Sequence, residues 1–105
     1  MAAKSRKEQL EEMLAEDPGD LFLHYGLAME YVSAGDDRTA VERFRQLLEV
    51  AADYVPAYLQ AGQALVRLDR LAEAREMWGR GVAAARQKGD SHAAEEMSGM
   101  MAALE

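Results

Sequence analysis

The sequence predicts an all-α fold of about six helices, paired into helix-turn-helix hairpins and stacked side by side. Three observations predict it. Apolar residues recur at spacings of three and four along most of the 105 residues, and no segment alternates as a strand would. The stretches between these patterns are short and built from Gly, Asp and Pro: DPGD at 17–20, AGDD at 34–37 and KGDS at 88–91. The pattern of side-chain sizes in Gly26–Phe44 returns 34 residues later in Gln60–Trp78, so that Val32 meets Val66, Ala40 meets Ala74 and Phe44 meets Trp78.

Each element has its own justification. Residues 4–16 place Leu10, Met13 and Leu14 on one narrow stripe. Lys4, Arg6 and Lys7 crowd the start of this helix and Glu11, Glu12 and Glu16 its end. Both placements oppose the helix dipole, at a few tenths of a kcal/mol each, about the usual surface value, so fraying is expected at the start. Pro18 ends the helix, Gly19 permits a turn and Asp20 is placed to cap the second helix. Residues 21–34 carry Leu21, Phe22, Leu23, Tyr25, Leu27 and Met29 on most sides. A helix apolar nearly all round is buried on two sides or offers an apolar face to a partner.

Gly35 closes that helix, and Asp36 or Asp37 opens the next, over 37–52, with Val41, Phe44, Leu47 and Leu48 on one stripe. Pro56 suits the first turn of a fourth helix over 56–68. Asp69 is expected to cap a fifth helix over 71–87. Gly89 stops that one, and Asp90 or Ser91 caps a last helix carrying Met97, Met100, Met101 and Leu104. The expected organisation is one domain over 1–105: an N-terminal helix at 4–16, repeats at 21–54 and 55–88, and a capping helix at 90–104.

Bulk composition narrows the function classes. A chain of this size buries roughly 60–65% of its unfolded surface, so its core is thin. Half of the residues are hydrophobic and 30% are charged, the balance of a folded chain. A net charge of −7 repels nucleic acid and anionic bilayers, and neither is expected as a partner. There is no cysteine, which excludes disulfides and thiolate chemistry. No apolar run approaches the roughly 20 residues of a membrane span, and a cytoplasmic location is expected. The closing Leu104-Glu105 reads equally as native sequence or as a remnant ahead of a purification tag.

The inventory for catalysis is poor. Ser5, Ser33, Ser91 and Ser98 lack a nucleophile-elbow context, and no glycine-rich phosphate loop is present. Carboxylate pairs such as Asp36-Asp37 and Glu95-Glu96 fall at turns or on solvated helix faces. No enzyme, cofactor or metal site is expected. The methionines of the last helix read as core rather than as copper ligands, His24 as a half-buried packing residue, and His92 as facing water.

The interval and the residues together resemble the tetratricopeptide repeat family. His24, Leu27 and Ala28, and then Tyr58, Ala61 and Gly62, match its large-leucine-small pattern on the first helix, with Ala61 departing from leucine. Ala40 and Ala74 match the small residue of its second helix, and Phe44 and Trp78 the aromatic that comes next in that pattern. Asp69 replaces the turn glycine, and the closing Asp-Pro pair is present only as Asp17-Pro18. The resemblance implies a right-handed superhelical stack in which small residues let helix backbones approach and bulky ones fill the gaps.

It also implies a protein-interaction module whose first helices line a concave groove. The groove positions are Phe22, Tyr25, Met29, Val32 and Ser33, then Pro56, Leu59, Gln63, Val66 and Arg67, with Gln63 and Arg67 fixing orientation at the rim. They lack the lysines and asparagine with which some members grip a chaperone's terminal carboxylate, so that mode is rejected. The expected partner is a hydrophobic peptide or an amphipathic helix of a protein. The alternative is a homodimer whose groove is filled by a second copy.

Overall fold

The computed structural model describes residues 3–104. It contains α1 (Arg6–Glu16), α2 (Leu21–Ser33), α3 (Asp37–Val50), α4 (Val55–Arg67), α5 (Leu71–Gln87) and α6 (Ser91–Ala103), with no strand among the described residues. Each helix packs against the next in chain order. The result is an elongated stack measuring 50 × 28 × 20 Å, with a radius of gyration of 14.4 Å. A compact chain of this length would have a radius of about 13 Å.

Capping explains where the helices begin. The backbone N–H of Leu23 donates to Asp20 Oδ1 (3.1 Å), that of Thr39 to Asp36 Oδ1 (3.2 Å) and that of Ala93 to Asp90 Oδ1 (3.1 Å). Asp36 and Asp90 are therefore the caps, not Asp37 or Ser91. α1 starts later than expected, and its start is not bare. Ser5 Oγ accepts from the Glu8 N–H while the Glu8 carboxylate accepts from the Ser5 N–H, a reciprocal box that offsets the unfavourable charges. α4 begins at Val55 with Pro56 in its first turn, where the missing N–H costs no bond.

One expected cap is corrected. Asp69 does not cap α5; Arg70 holds the N-cap position, with no side-chain bond to the helix. Asp69 instead takes a left-handed backbone conformation, φ 59°, in the turn where Gly35 (φ 77°) stands one hairpin earlier. A short polar residue tolerates this conformation better than most, which is how the chain dispenses with glycine there.

The main core runs through α2–α6 and has no buried polar or charged side chain among the described residues. Its contacts join small residues to large ones. Ala28, Ala40, Ala61 and Ala74 have no exposure, and Phe44 is equally buried. Trp78 lies flat on Gly62: a Cβ there would meet the indole Nε1 at 2.0 Å. The same indole N–H donates to the carbonyl of Leu59 (3.2 Å), so burial leaves no unmet donor. Gly81 plays the matching part on α5, where a Cβ would meet Met97 Sδ at 2.5 Å and Tyr58 Cβ at 2.6 Å. Met97 is fully buried, as a core methionine, and His92 is exposed.

α1 closes the other end through a smaller cluster of Leu10, Leu14, Leu23 and Leu27. Tyr31 joins this cluster to the main core, and the Lys7 ammonium sits 4.8 Å from its ring centroid.

Two glycine substitutions separate packing from helix propensity. Gly99 has open space where a Cβ would go, so Gly99→Ala stabilises by about 0.5–1 kcal/mol. Gly81→Ala destabilises by at least about 1–3 kcal/mol, because Tyr58 Cβ is anchored to its own backbone and cannot yield. Thermal denaturation followed by circular dichroism checks both; a Gly81→Ala protein that melts no lower than the parent contradicts the packing.

Candidate functional site

The first helices of successive hairpins are α2 and α4, and α6 continues their series. α4 starts 34 residues after α2 (55 − 21), whereas α6 starts 36 residues after α4 (91 − 55). The difference arises from α5, which has 17 residues against 14 in α3. At the offset of 36 given by the helix starts, the buried Ala94 and Met97 fall on the buried Tyr58 and Ala61.

Between α4 and α6 lies an apolar cleft of about 370 Å³. Trp78 is its floor. Gln63, Val66 and Arg67 form one wall, spaced three and four apart on α4; Met100 and Leu104 form the other. Three of the residues expected in the groove therefore meet in one depression. Trp78, Met100 and Leu104 were not expected there. The extended offset hides α6 from a search at 34 residues, and Trp78 reaches the cleft only because Gly62 lets the indole through.

The other expected residues lie outside this cleft. Phe22 is 70% exposed, the most solvent-facing aromatic of the stack. Tyr25 is half-buried, with its ring centroid 5.9 Å from Phe44 and 5.5 Å from Tyr54. Burial pushes its hydroxyl pKa above the ordinary value, with the neighbouring Tyr54 adding to the rise. Burial raises Tyr54 as well, and the charge of Asp20 adds to it. Met29, Val32 and Leu59 are partly buried against the main core. Ser33 and Pro56 are exposed.

Arg67 is oriented by a second helix. Its Nε donates to both carboxylate oxygens of Asp37 at 3.1 Å, and its Nη2 donates to Oδ1 at 2.9 Å. This bidentate pair ties the end of α4 to the first turn of α3. The guanidinium at the cleft rim is thus already neutralised.

Two other depressions lie elsewhere. One of about 270 Å³ sits between the 17–20 turn and the end of α3, against Pro18, Leu21, Leu47 and Val50. His24 borders it, half-buried, with Nε2 2.7 Å from the Pro18 carbonyl oxygen. The other, about 610 Å³, opens on the second helices over Val41 and Leu68. Arg45 and Arg70 on its rim both reach Glu73, at 3.3 and 2.7 Å. The Arg70 hydrogen bond, ahead of other effects, holds the Glu73 carboxyl below the usual range. Among the described residues no cluster of His, Cys, Asp or Glu is arranged to hold a metal, and no helix is long and apolar enough to cross a membrane.

No family model matches the chain. A TPR repeat-containing protein of Pseudomonas aeruginosa is 35% identical over 91 residues, covering 87% of each chain. The solution structure of a tetratricopeptide repeat domain protein from Salinibacter ruber superposes with a TM-score of 0.79 at 31% identity, over 84% of this chain and 89% of that one. A solution structure from Bordetella parapertussis superposes with a TM-score of 0.85 at 27% identity, over 97% of this chain and 89% of the other.

The tyrosine pair carries a pH signature. Both folded-state pKa values lie above the ordinary 10.0, so the fold favours the neutral phenols. Their stabilising contribution is complete below the unfolded value and is lost as pH rises through the folded one. Melting temperatures measured between about pH 9 and 11.5 fall for the parent, and fall less for Tyr25→Phe. Parallel falls in the two proteins would contradict the assignment.

Proposed function

The chain belongs to the tetratricopeptide repeat family, and on that premise we propose that it is a protein-interaction module holding a hydrophobic peptide or amphipathic helix of another protein against α2, α4 and α6. Repeats of this kind serve contact between proteins, and the folded chain offers the surface such contact needs. The α4–α6 cleft is the observation that carries the reading. It is open, apolar and floored by an aromatic ring, with an amide and a positioned guanidinium on its rim. Anchoring side chains of a partner helix gain most of their energy in depressions of this type. Met100 adds a flexible, polarisable wall that adapts to the shape of the side chain that enters.

The exposed Phe22 extends the apolar surface along α2 and would contact the far end of a bound segment. Tyr25, Met29, Val32 and Leu59, partly buried against the main core, would lie beneath the middle of that segment. A second copy of the chain is the rival occupant. It would bring two charges of −7 together, which favours a separate partner. Light scattering over a dilution series distinguishes the two, since a monomer at every concentration removes the homodimer.

Trp78 is the only tryptophan, so its emission reports directly on the cleft. Titration with an amphipathic helical peptide should shift that emission saturably. Val66→Asp places a charge in the wall and weakens binding by about tenfold or more while the circular dichroism spectrum is kept. A variant that folds and binds as tightly as the parent would refute the cleft as the binding site.

A further inference from the structure

We infer that the groove selects a cationic amphipathic segment, one whose apolar face is flanked by lysine or arginine; this rests on the interaction reading above. The argument is the division of charge between the two sets of helices. α2, α4 and α6 hold the acids Glu30, Glu95 and Glu96 and one cation, Arg67. That cation is bound at both carboxylate oxygens of Asp37, so it offers little net charge to an incoming partner. The second helices carry Arg38, Arg43, Arg45, Arg75, Arg80 and Arg86. Cations are thus kept almost entirely off the proposed binding helices of a chain that has 12 of them.

Register places one acid within the groove series itself. Tyr25, Leu59 and Glu95 occupy equivalent positions, 34 and 36 residues apart by the helix starts. Glu95 is exposed, and no salt bridge among the described residues involves it. An acid at a position held by Tyr25 and Leu59 in the preceding helices is poorly suited to a wholly apolar ligand. It suits one whose apolar side chains enter the α4–α6 cleft while a neighbouring ammonium or guanidinium meets the carboxylate. An acidic ligand would meet Glu95 and the field of a chain of charge −7 with no free cation on these helices to receive it.

The test uses two synthetic helical peptides of equal length and identical Leu/Met face, one with Lys and one with Glu at the flanking positions. Binding to the full chain is followed by Trp78 emission. The expected result is that the Lys peptide binds about tenfold more tightly at low salt, with an advantage that shrinks by about 0.5 M salt as screening shortens the reach of charge. Glu95→Lys lowers Lys-peptide affinity about fivefold, whereas Glu11→Lys on α1 leaves it within about twofold. Equal or tighter binding of the Glu peptide overturns charge selection and leaves the groove standing. Equal losses from the two variants also overturn it, since the attraction then belongs to the whole chain. If neither peptide binds, the interaction reading falls and this inference with it.

Discussion

The close approach of helices at residues with no room for a larger side chain is the constraint on which the rest of the structure depends. Gly62 and Gly81 show it most plainly: one lies under the Trp78 indole, the other between Tyr58 and Met97. Interiors pack at the density of organic crystals, so such contacts have a single solution in which small faces large. Written along the chain, that solution is the recurring rhythm of Ala or Gly against Phe or Trp. Each hairpin leaves an apolar face for the next, and α1 and α6 cover the two ends. The elongated shape is the consequence, because the contacts are between neighbours in sequence and not across a common centre.

Much of this was legible in the residues. All six helices were readable from periodicity and turn chemistry, with ends within two residues of those observed. Asp20 marks the start of its helix outright, whereas Asp36 and Asp90 each share the reading with the residue that follows, because an acceptor side chain just ahead of an apolar stripe favours the cap position. The failures have physical causes too. The dipole charges at the start of α1 matter less than Ser5 and Glu8, whose hydrogen bonds are local and stronger than the dipole effect. Asp69 was misread because one residue type serves both as cap and as tolerant left-handed turn residue, and only the backbone distinguishes the roles.

The lining of the α4–α6 cleft was half legible. Gln63, Val66 and Arg67 are given by the repeat register and do share one cleft. Met100 and Leu104 escaped because the longer α5 moves α6 out of the 34-residue frame. Asp37, read only as a possible cap, turns out to hold the Arg67 fork across 30 residues of sequence. The same architecture that packs the core thus shapes the proposed surface for a partner. Opening Gly62 to the indole sets Trp78 at the cleft floor, and the spacing of α4 and α6 decides what can enter. Stability and the proposed recognition draw on one set of contacts, because the Trp78 indole that floors the cleft also packs on Gly62.

A double-mutant cycle on Gly62 and Trp78 tests that central claim most directly. Unfolding free energies are measured for the parent, Gly62→Ala, Trp78→Leu and the double variant. If the indole on the glycine is the limiting contact, Gly62→Ala costs on the order of 1–3 kcal/mol with Trp78 present. With leucine in its place, the added methyl is neutral or stabilises by up to about 1 kcal/mol through helix propensity. The account predicts that strong coupling. The same cost in both backgrounds, with the two changes simply additive, would contradict it.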